Sequence, residues 1–227
     1  MNLQLQFVGC GDAFGSGGRF NTCFHLTGTD TNLLIDCGAT SVVAMKRLGI
    51  DRNAIRVIAI THFHADHFGG IPFFMLDAQF FSKRREPLVI VGPPGLAQWY
   101  ERVMETGFPG SSAAARKFAL ELRELAAGEV ADVAGVRIAA HQALHGPPGG
   151  PYHCLRVEAE GKAIAYSGDT EWCDGLAAAA RDADMLIAEA YFGDRRVATH
   201  LGLADILEHR AELASRRIVL THMSDDM

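Results

Sequence analysis

Six consecutive residues constrain this chain more than any other stretch: His62-Phe63-His64-Ala65-Asp66-His67, directly behind the apolar run Val57-Ile58-Ala59-Ile60. Three imidazoles and a carboxylate at the end of a buried strand have no place in an ordinary core. Burying each without a partner costs about 1–3 kcal/mol or more. A metal ion removes that cost by accepting their lone pairs. The segment therefore reads as half of a metal site, and any fold the chain adopts must bring the other half to it.

The remaining ligands must come from other strand ends, because a dinuclear centre takes roughly seven to eight protein donors that have to converge. Four downstream positions qualify. His145 follows the apolar stretch Val136–Leu144 and precedes Gly146-Pro147-Pro148-Gly149. Asp169 sits in Ser167-Gly168-Asp169-Thr170, after the strand expected over Ala163–Tyr166. His200 lies in Thr199-His200-Leu201-Gly202, and His222 in Leu220-Thr221-His222-Met223-Ser224. No cysteine falls at a ligand position, so imidazole and carboxylate define the donor set. That set suits Zn²⁺ and also accommodates Mn²⁺ or Fe.

Hydrophobic periodicity places strands at Leu3–Val8, Thr22–Leu26, Leu33–Asp36, Arg56–Ile60, Leu88–Val91, Met185–Ala188 and Arg217–Leu220. Phe118–Ala143 reads as short strands turning at Gly128 and Gly135. Tyr152–Ala159 and Ala163–Tyr166 flank Glu160-Gly161-Lys162 as a hairpin. Helices are expected over Thr40–Leu48, with Val43, Met45 and Leu48 on one stripe, and over Gly70–Phe81, Gly95–Glu105, Leu176–Arg181 and Leu203–Ala214. Phe108–Ala115 reads as a connector with a short helix. Runs of strands with helices between some of them predict a layered α/β (α+β) arrangement, sheets inside and helices outside, as one domain over residues 1–227.

The 227 residues carry a formal net charge of −6, so composition shows no basic field for nucleic acid. Lys83-Arg84-Arg85, Arg195-Arg196 and Arg216-Arg217 read as solvated surface. Five widely spaced cysteines with no CxxC, and an N-terminus without a basic region followed by an apolar run, point to a reduced, cytoplasmic chain. No apolar stretch is long enough to span a membrane. The phenylalanine pairs Phe73-Phe74 and Phe80-Phe81 read as core, or as a homodimer contact.

The order HxHxDH, His145, Gly168-Asp169-Thr170 and Thr221-His222-Met223-Ser224 resembles the metallo-β-lactamase superfamily. With Gly9-Cys10-Gly11 and Leu34-Ile35-Asp36-Cys37-Gly38, it is most similar to the ribonuclease Z branch of metal-dependent phosphodiesterases. The resemblance implies a four-layer αββα sandwich holding two divalent ions. It assigns His62, His64 and His145 to one ion, Asp66, His67 and His222 to the second, and Asp169 to both. It implies in-line attack on phosphorus by a metal-bridging hydroxide, with His200 as proton donor and Glu189, at the end of its strand, orienting it. Asp36 reads equally as an acceptor that orients a ligand histidine or as a strand-ending structural carboxylate. His25, His141, His153 and His209 match no motif and read as structural.

Ribonuclease Z enzymes that mature transfer RNA carry a long arm between the third histidine and the bridging aspartate. Here His145 and Asp169 are only 24 residues apart. No arm fits, so a small phosphodiester such as a cyclic nucleotide is the expected substrate and nucleic acid is not. A ribonuclease Z-type RNA endonuclease, a thioester or lactam hydrolase, and a non-catalytic metal-binding module remain alternatives, since one fold hosts several reactions.

Overall fold

The structure, a computed structural model, describes residues 2–227; Met1 lies outside them. Among the described residues, twelve strands form two six-stranded sheets. The first contains β1 (Gln4–Gly9), β2 (Cys23–Thr27), β3 (Asn32–Ile35), β4 (Val57–Ala59), β5 (Leu88–Gly92) and β6 (Leu120–Glu124), in that order. The second contains β7 (Val130–Val133), β8 (Val136–Gln142), β9 (His153–Ala159), β10 (Lys162–Tyr166), β11 (Met185–Glu189) and β12 (Ile218–Thr221), again in chain order across the sheet. Each sheet is part antiparallel and part parallel. β1 to β3 and β7 to β10 alternate in direction, whereas β3 to β6 and β10 to β12 run parallel.

Strand alternation sorts side chains into layers, because successive residues face opposite sides. Leu33, Ile35, Val57 and Ala59 point from the first sheet into a core shared with Ile138, Leu155, Val157, Tyr166 and Ile187 of the second. Leu34 and Ile58, one residue out of phase, pack outward under the helices α1 (Ser41–Arg47), α3 (Ile71–Leu76) and α4 (Leu96–Gly107). Ala165, Leu186 and Ala188 face the other way, against Leu176 and Ala179 of α5 (Asp174–Ala180) and Ile206 of α6 (Leu203–Glu208). The result is the expected αββα order of layers.

Several local expectations are corrected. The buried side of α1 is Val42, Ala44 and Met45, while Val43 and Leu48 face solvent. The helix from Ile71 widens after Leu76 into a π-helical turn over Asp77–Phe81, where Lys46 and Arg52 grip the Asp77 carboxylate at 2.8 and 2.9 Å. Phe108–Ala115 contains turns and no helix. Gly110 there takes φ +83°, and Glu105 accepts the Gly110 and Ser112 amides that a helix would have used internally. The last helix ends at Glu208 rather than Ala214, where His209 turns to stack on Trp172 and bond Glu212. Arg84 is not surface: it is 1% exposed, and its guanidinium donates to the carbonyls of Arg52, Ile55, Glu86 and Pro87.

The common direction of the strands positions everything that follows. β1, β3 and β4 run the same way, so Asp12–Phe14, Asp36 and His62–His67 all emerge at one edge of the first sheet. β8, β10, β11 and β12 likewise deliver His145, Asp169, Glu189 and His222 to one edge of the second. The amide of His222 donates to the Cys10 carbonyl at 3.1 Å, joining the two edges. Crevices at the carboxyl ends of parallel strands are where open α/β sheets hold their ligands.

Candidate metal centre and cleft

Behind β4 the chain stays extended through His64 and then turns into the one-turn helix α2 (Ala65–Phe68). The extended part puts His62 and His64 on one side. Phe63 goes to the other, against Phe68 and Trp99 at ring separations of 5.3 and 5.6 Å. The helical turn then swings Asp66 and His67 to a second position. Two donor groups result: His62, His64 and His145, and Asp66, His67, Asp169 and His222. A third grouping, Asp169, Glu189, His200 and His222, overlaps the second. All nine residues expected from the sequence thus meet at one place, and His25, His141, His153 and His209 join none of these groups.

The ring orientations are fixed from behind. Thr61 donates its amide (2.8 Å) and its hydroxyl (2.9 Å) to Asp36, so its oxygen receives the Nδ1 proton of His62 at 3.1 Å. Asp36 also accepts Nδ1–H of His67 at 2.7 Å, and Nδ1–H of His145 donates to the Thr199 carbonyl at 2.8 Å. Each bond leaves Nε2 as the lone-pair nitrogen facing the site, the arrangement by which carboxylates and carbonyls orient ligand histidines. Asp36 therefore takes the orienting role of the two open to it. Asp36 and His222 both adopt φ near +58°, at 57° and 58°. Such left-handed backbone in non-glycine residues costs free energy and clusters at functional sites. Gly168, at φ +59°, is obligatory beside Asp169, because a Cβ there would lie 2.6 Å from the His153 carbonyl oxygen.

The two donor groups fit cations. Nε2 of His67 lies 3.1 Å from Asp169 Oδ1, 3.4 Å from Asp66 Oδ2 and 3.4 Å from Nε2 of His222. Nε2 of His222 lies 3.2 Å from Asp66 Oδ2 and 3.5 Å from Asp169 Oδ2. These are lone pairs turned on one another in a buried place. Burial alone would disfavour charge on Asp169 and on His67. Their mutual attraction, with His222 on the aspartate and Asp36 on the histidine, instead holds Asp169 well below the carboxylate range and His67 well above an ordinary imidazole. Protons on His67 and His222 are one way to neutralise the carboxylates. They do nothing for His62, whose buried Nε2 makes no hydrogen bond and lies 4.0 Å from Asp169 Oδ2. Burial pushes His62 well below the imidazole range, so its lone pair stays free. Divalent cations would satisfy both groups at once, and an imidazole–carboxylate set suits ions such as zinc.

Beside these groups, Glu189 is fully buried, and both its oxygens accept hydrogen bonds. One oxygen takes the amides of Thr170 (3.0 Å) and Leu201 (3.3 Å). The other takes Nδ1–H of His200 and lies 3.4 Å from Nδ1 of His222. Burial works against a charged His200, but the Glu189 bond outweighs it and raises its pKa above the ordinary imidazole value. Tyr191 stacks on the His200 ring at 5.0 Å and holds it in place. A cleft of about 270 Å³ opens here, lined by His64, Asp66, His145, Asp169, His200 and His222 from the floor, and by Asp12, Ala13, Phe14, Tyr191 and Thr199 from the walls. The wall residues and Thr61 were not legible in the sequence, because no residue spacing encodes which loop positions reach the cleft or brace a ligand ring from behind.

A family model described as "Anti-Pycsar protein Apyc1" matches residues 3–227. The chain belongs to this family. Among curated relatives, the ribonuclease Z of Methanosarcina acetivorans is 27% identical, over 98% of this chain and 88% of that protein. The alignment spans 273 positions against the 227 residues of this chain, so at least 46 of them are residues of the relative that this family member lacks. The short form of human tRNase Z superposes with a TM-score of 0.80 at 25% identity, covering 97% of this chain and 92% of that one. A diphosphatase of the PhnP family, at 19% identity and a TM-score of 0.79 over 100% of this chain and 88% of its own, shares the fold. The family member is thus a metal-dependent hydrolase of the metallo-β-lactamase superfamily, similar to ribonuclease Z. Among the described residues, no helix is long and apolar enough to cross a membrane.

Proposed function

We propose that the protein is a phosphodiesterase that hydrolyses a small phosphodiester, such as a cyclic nucleotide, with two divalent ions, zinc in the first instance. The supporting observation is the pairing of two donor groups, linked through Asp169, with a cleft of only about 270 Å³. That volume suits one small molecule. The 24-residue interval from His145 to Asp169 leaves no room for an RNA-gripping arm.

In this reading His62, His64 and His145 would hold one ion, Asp66, His67 and His222 would hold the other, and Asp169 would serve both. Divalent ions at such positions supply Lewis acidity toward phosphoryl oxygens and a water nucleophile at neutral pH. The chain's own residues do the rest. Asp36, Thr61 and the Thr199 carbonyl fix the tautomers of His67, His62 and His145. His200, with Nδ1 engaged by Glu189, presents Nε2 to the cleft and gives its proton to the departing ester oxygen as the phosphorus–oxygen bond breaks. Water supplies the incoming oxygen, and the product is a phosphomonoester. The whole chain acts as one catalytic domain. Its five free cysteines suit a reducing cytoplasm, and its exposed Phe73, Phe80 and Phe81 suit a homodimer contact.

The ribonuclease Z relatives favour a second reading, cleavage of an RNA precursor. Steady-state turnover of cyclic nucleotides, a transfer RNA precursor, a thioester and a β-lactam, each with Zn²⁺ and with Mn²⁺, separates the readings. Cyclic nucleotide turnover that is lost in Asp169→Ala along with bound metal is the expected result. Turnover of the RNA or the thioester without the cyclic nucleotide overturns the proposal.

A further inference from the structure

Among the cleft's wall residues that the chemistry above does not use, Phe14 stands out. Phe14 is 82% exposed, the most exposed large apolar side chain among the described residues, yet it lines the same cavity as Asp66, Asp169, His200 and His222. A single exposed phenylalanine needs no explanation by itself. What sets this one apart is its location together with the stiffness of the loop that carries it.

That loop, between β1 and β2, is pinned on all sides. The buried carboxylate of Asp12 accepts the amide (3.0 Å) and the hydroxyl (2.7 Å) of Ser16, and the Asp12 carbonyl accepts Asn21 Nδ2 at 2.8 Å. The Gly11 amide donates to Phe20 O at 2.8 Å. The segment after His222 closes the other side, with Gly17 N on Asp225 at 2.6 Å and Arg19 on the Met223 carbonyl at 2.6 Å. The phenyl ring is therefore carried on a backbone tied both to β2 and to the strand end that bears His222. A ring held ready in this way loses little conformational freedom when a ligand covers it.

The cleft thus offers a charged floor at one end and an aromatic face at its lip. Its complement is a molecule with an anionic ester at one end and a flat ring at the other. We propose that Phe14 is a stacking platform for the base of a cyclic nucleotide whose phosphodiester lies at the Asp169 groups. The proposal rests on the phosphodiesterase reading and adds to it the part of the protein that recognises the nucleoside. Stacking of a base on an aromatic side chain changes affinity by about 5- to 150-fold when the side chain is cut to alanine.

The test compares kcat/KM for cyclic AMP with that for ribose 3′,5′-cyclic phosphate, which has the same ester and no base. Phe14→Ala should lower the ratio of the two at least ~10-fold, chiefly through KM for the nucleotide, and Phe14→Trp should restore it. Sedimentation of each variant runs alongside. An unchanged ratio in an active Phe14→Ala enzyme overturns the platform while leaving the phosphodiesterase reading intact. So does a dimer that falls apart on Phe14→Ala with the ratio preserved, since the ring would then be an interface residue. Wild-type protein that turns over neither substrate overturns both readings.

Discussion

Replacing His200 with alanine separates its role as proton donor from its role as packing. Its Nδ1 bonds the buried Glu189, Tyr191 covers one face, and the Glu189 carboxylate raises its pKa above the ordinary imidazole value against the effect of burial. A positioned general acid contributes roughly 10²–10⁴-fold, about 2.7–5.5 kcal/mol of barrier. An alkoxide leaving group, as in a cyclic nucleotide, needs that proton, whereas 4-nitrophenolate departs without one. His200→Ala should therefore slow cyclic nucleotide hydrolysis by about 10²-fold or more, and 4-nitrophenyl phosphodiester hydrolysis by less than about fivefold. Stability falls as well. Glu189 loses one donor but keeps Thr170 N and Leu201 N, a loss of about 1–3 kcal/mol that is the same for both assays. Rates for the two esters, measured on protein of equal metal content, decide the matter. Equal loss on both would mean that His200 supports the site without donating a proton, and no loss on the cyclic nucleotide would remove it from the reaction.

Three further outcomes follow from the same geometry. Gly168→Ala combines a φ of +59° with a Cβ 2.6 Å from the His153 carbonyl oxygen, so it should displace Asp169; bound metal counted by elemental analysis should fall below wild type. Arg84→Met strands four carbonyls that the guanidinium now satisfies and should cost about 3–5 kcal/mol, seen as a Tm drop of roughly 6–20 °C. Asp77→Asn loses charge-assisted bonds to Lys46 and Arg52 and should cost about 1–3 kcal/mol at pH 7. Burial opposes ionisation of Asp77, but those two cations lower its pKa overall. Its contribution is therefore full above the ordinary carboxylate range and fades as pH falls through the lowered value. Urea titrations of the variant and wild type should converge in acid, and a gap that stays constant down to pH 2 would contradict the ion-pair account.

The donor residues were legible because ligands that must converge sit just past strand ends, and strand ends can be found from apolar periodicity. His145, Asp169 and His222 each follow a strand, β8, β10 and β12, by a few residues. What hid was what a long side chain or a buried carboxylate does off its own element. Arg84 stands between two other basic residues, so its neighbours argue for solvent. Its guanidinium instead reaches carbonyls in the two segments that lead into β4 and β5, which no one-dimensional pattern shows. The stop after Glu208 depends on His209 stacking with Trp172, a residue 37 positions away. The missing helix at Phe108–Ala115 reflects Glu105 reaching forward to cap two amides. Asp36 could be read either way from sequence, and only the spatial approach of Thr61 and His67 fixes its role.

The donor groups draw on both sheets. His62, His64, Asp66 and His67 belong to the first, and His145, Asp169 and His222 to the second. Ions held there would act as rivets through the open edge of the sandwich, one fastening segments up to 107 residues apart in the chain (His62 to Asp169) and the other up to 156 (Asp66 to His222). Metal loading then becomes a clamp on folding as well as a source of reactivity. At a free ion concentration 100 times the dissociation constant, each ion adds about 2.7 kcal/mol to stability. Without ions, backbone bonds from His222 to the Cys10 carbonyl and from His153 to the Thr61 carbonyl still join the two sheets at that edge, and the donor side chains are left to pair with one another. Hydrogen exchange at the ends of β4, β10 and β12 should then slow together when the metals bind.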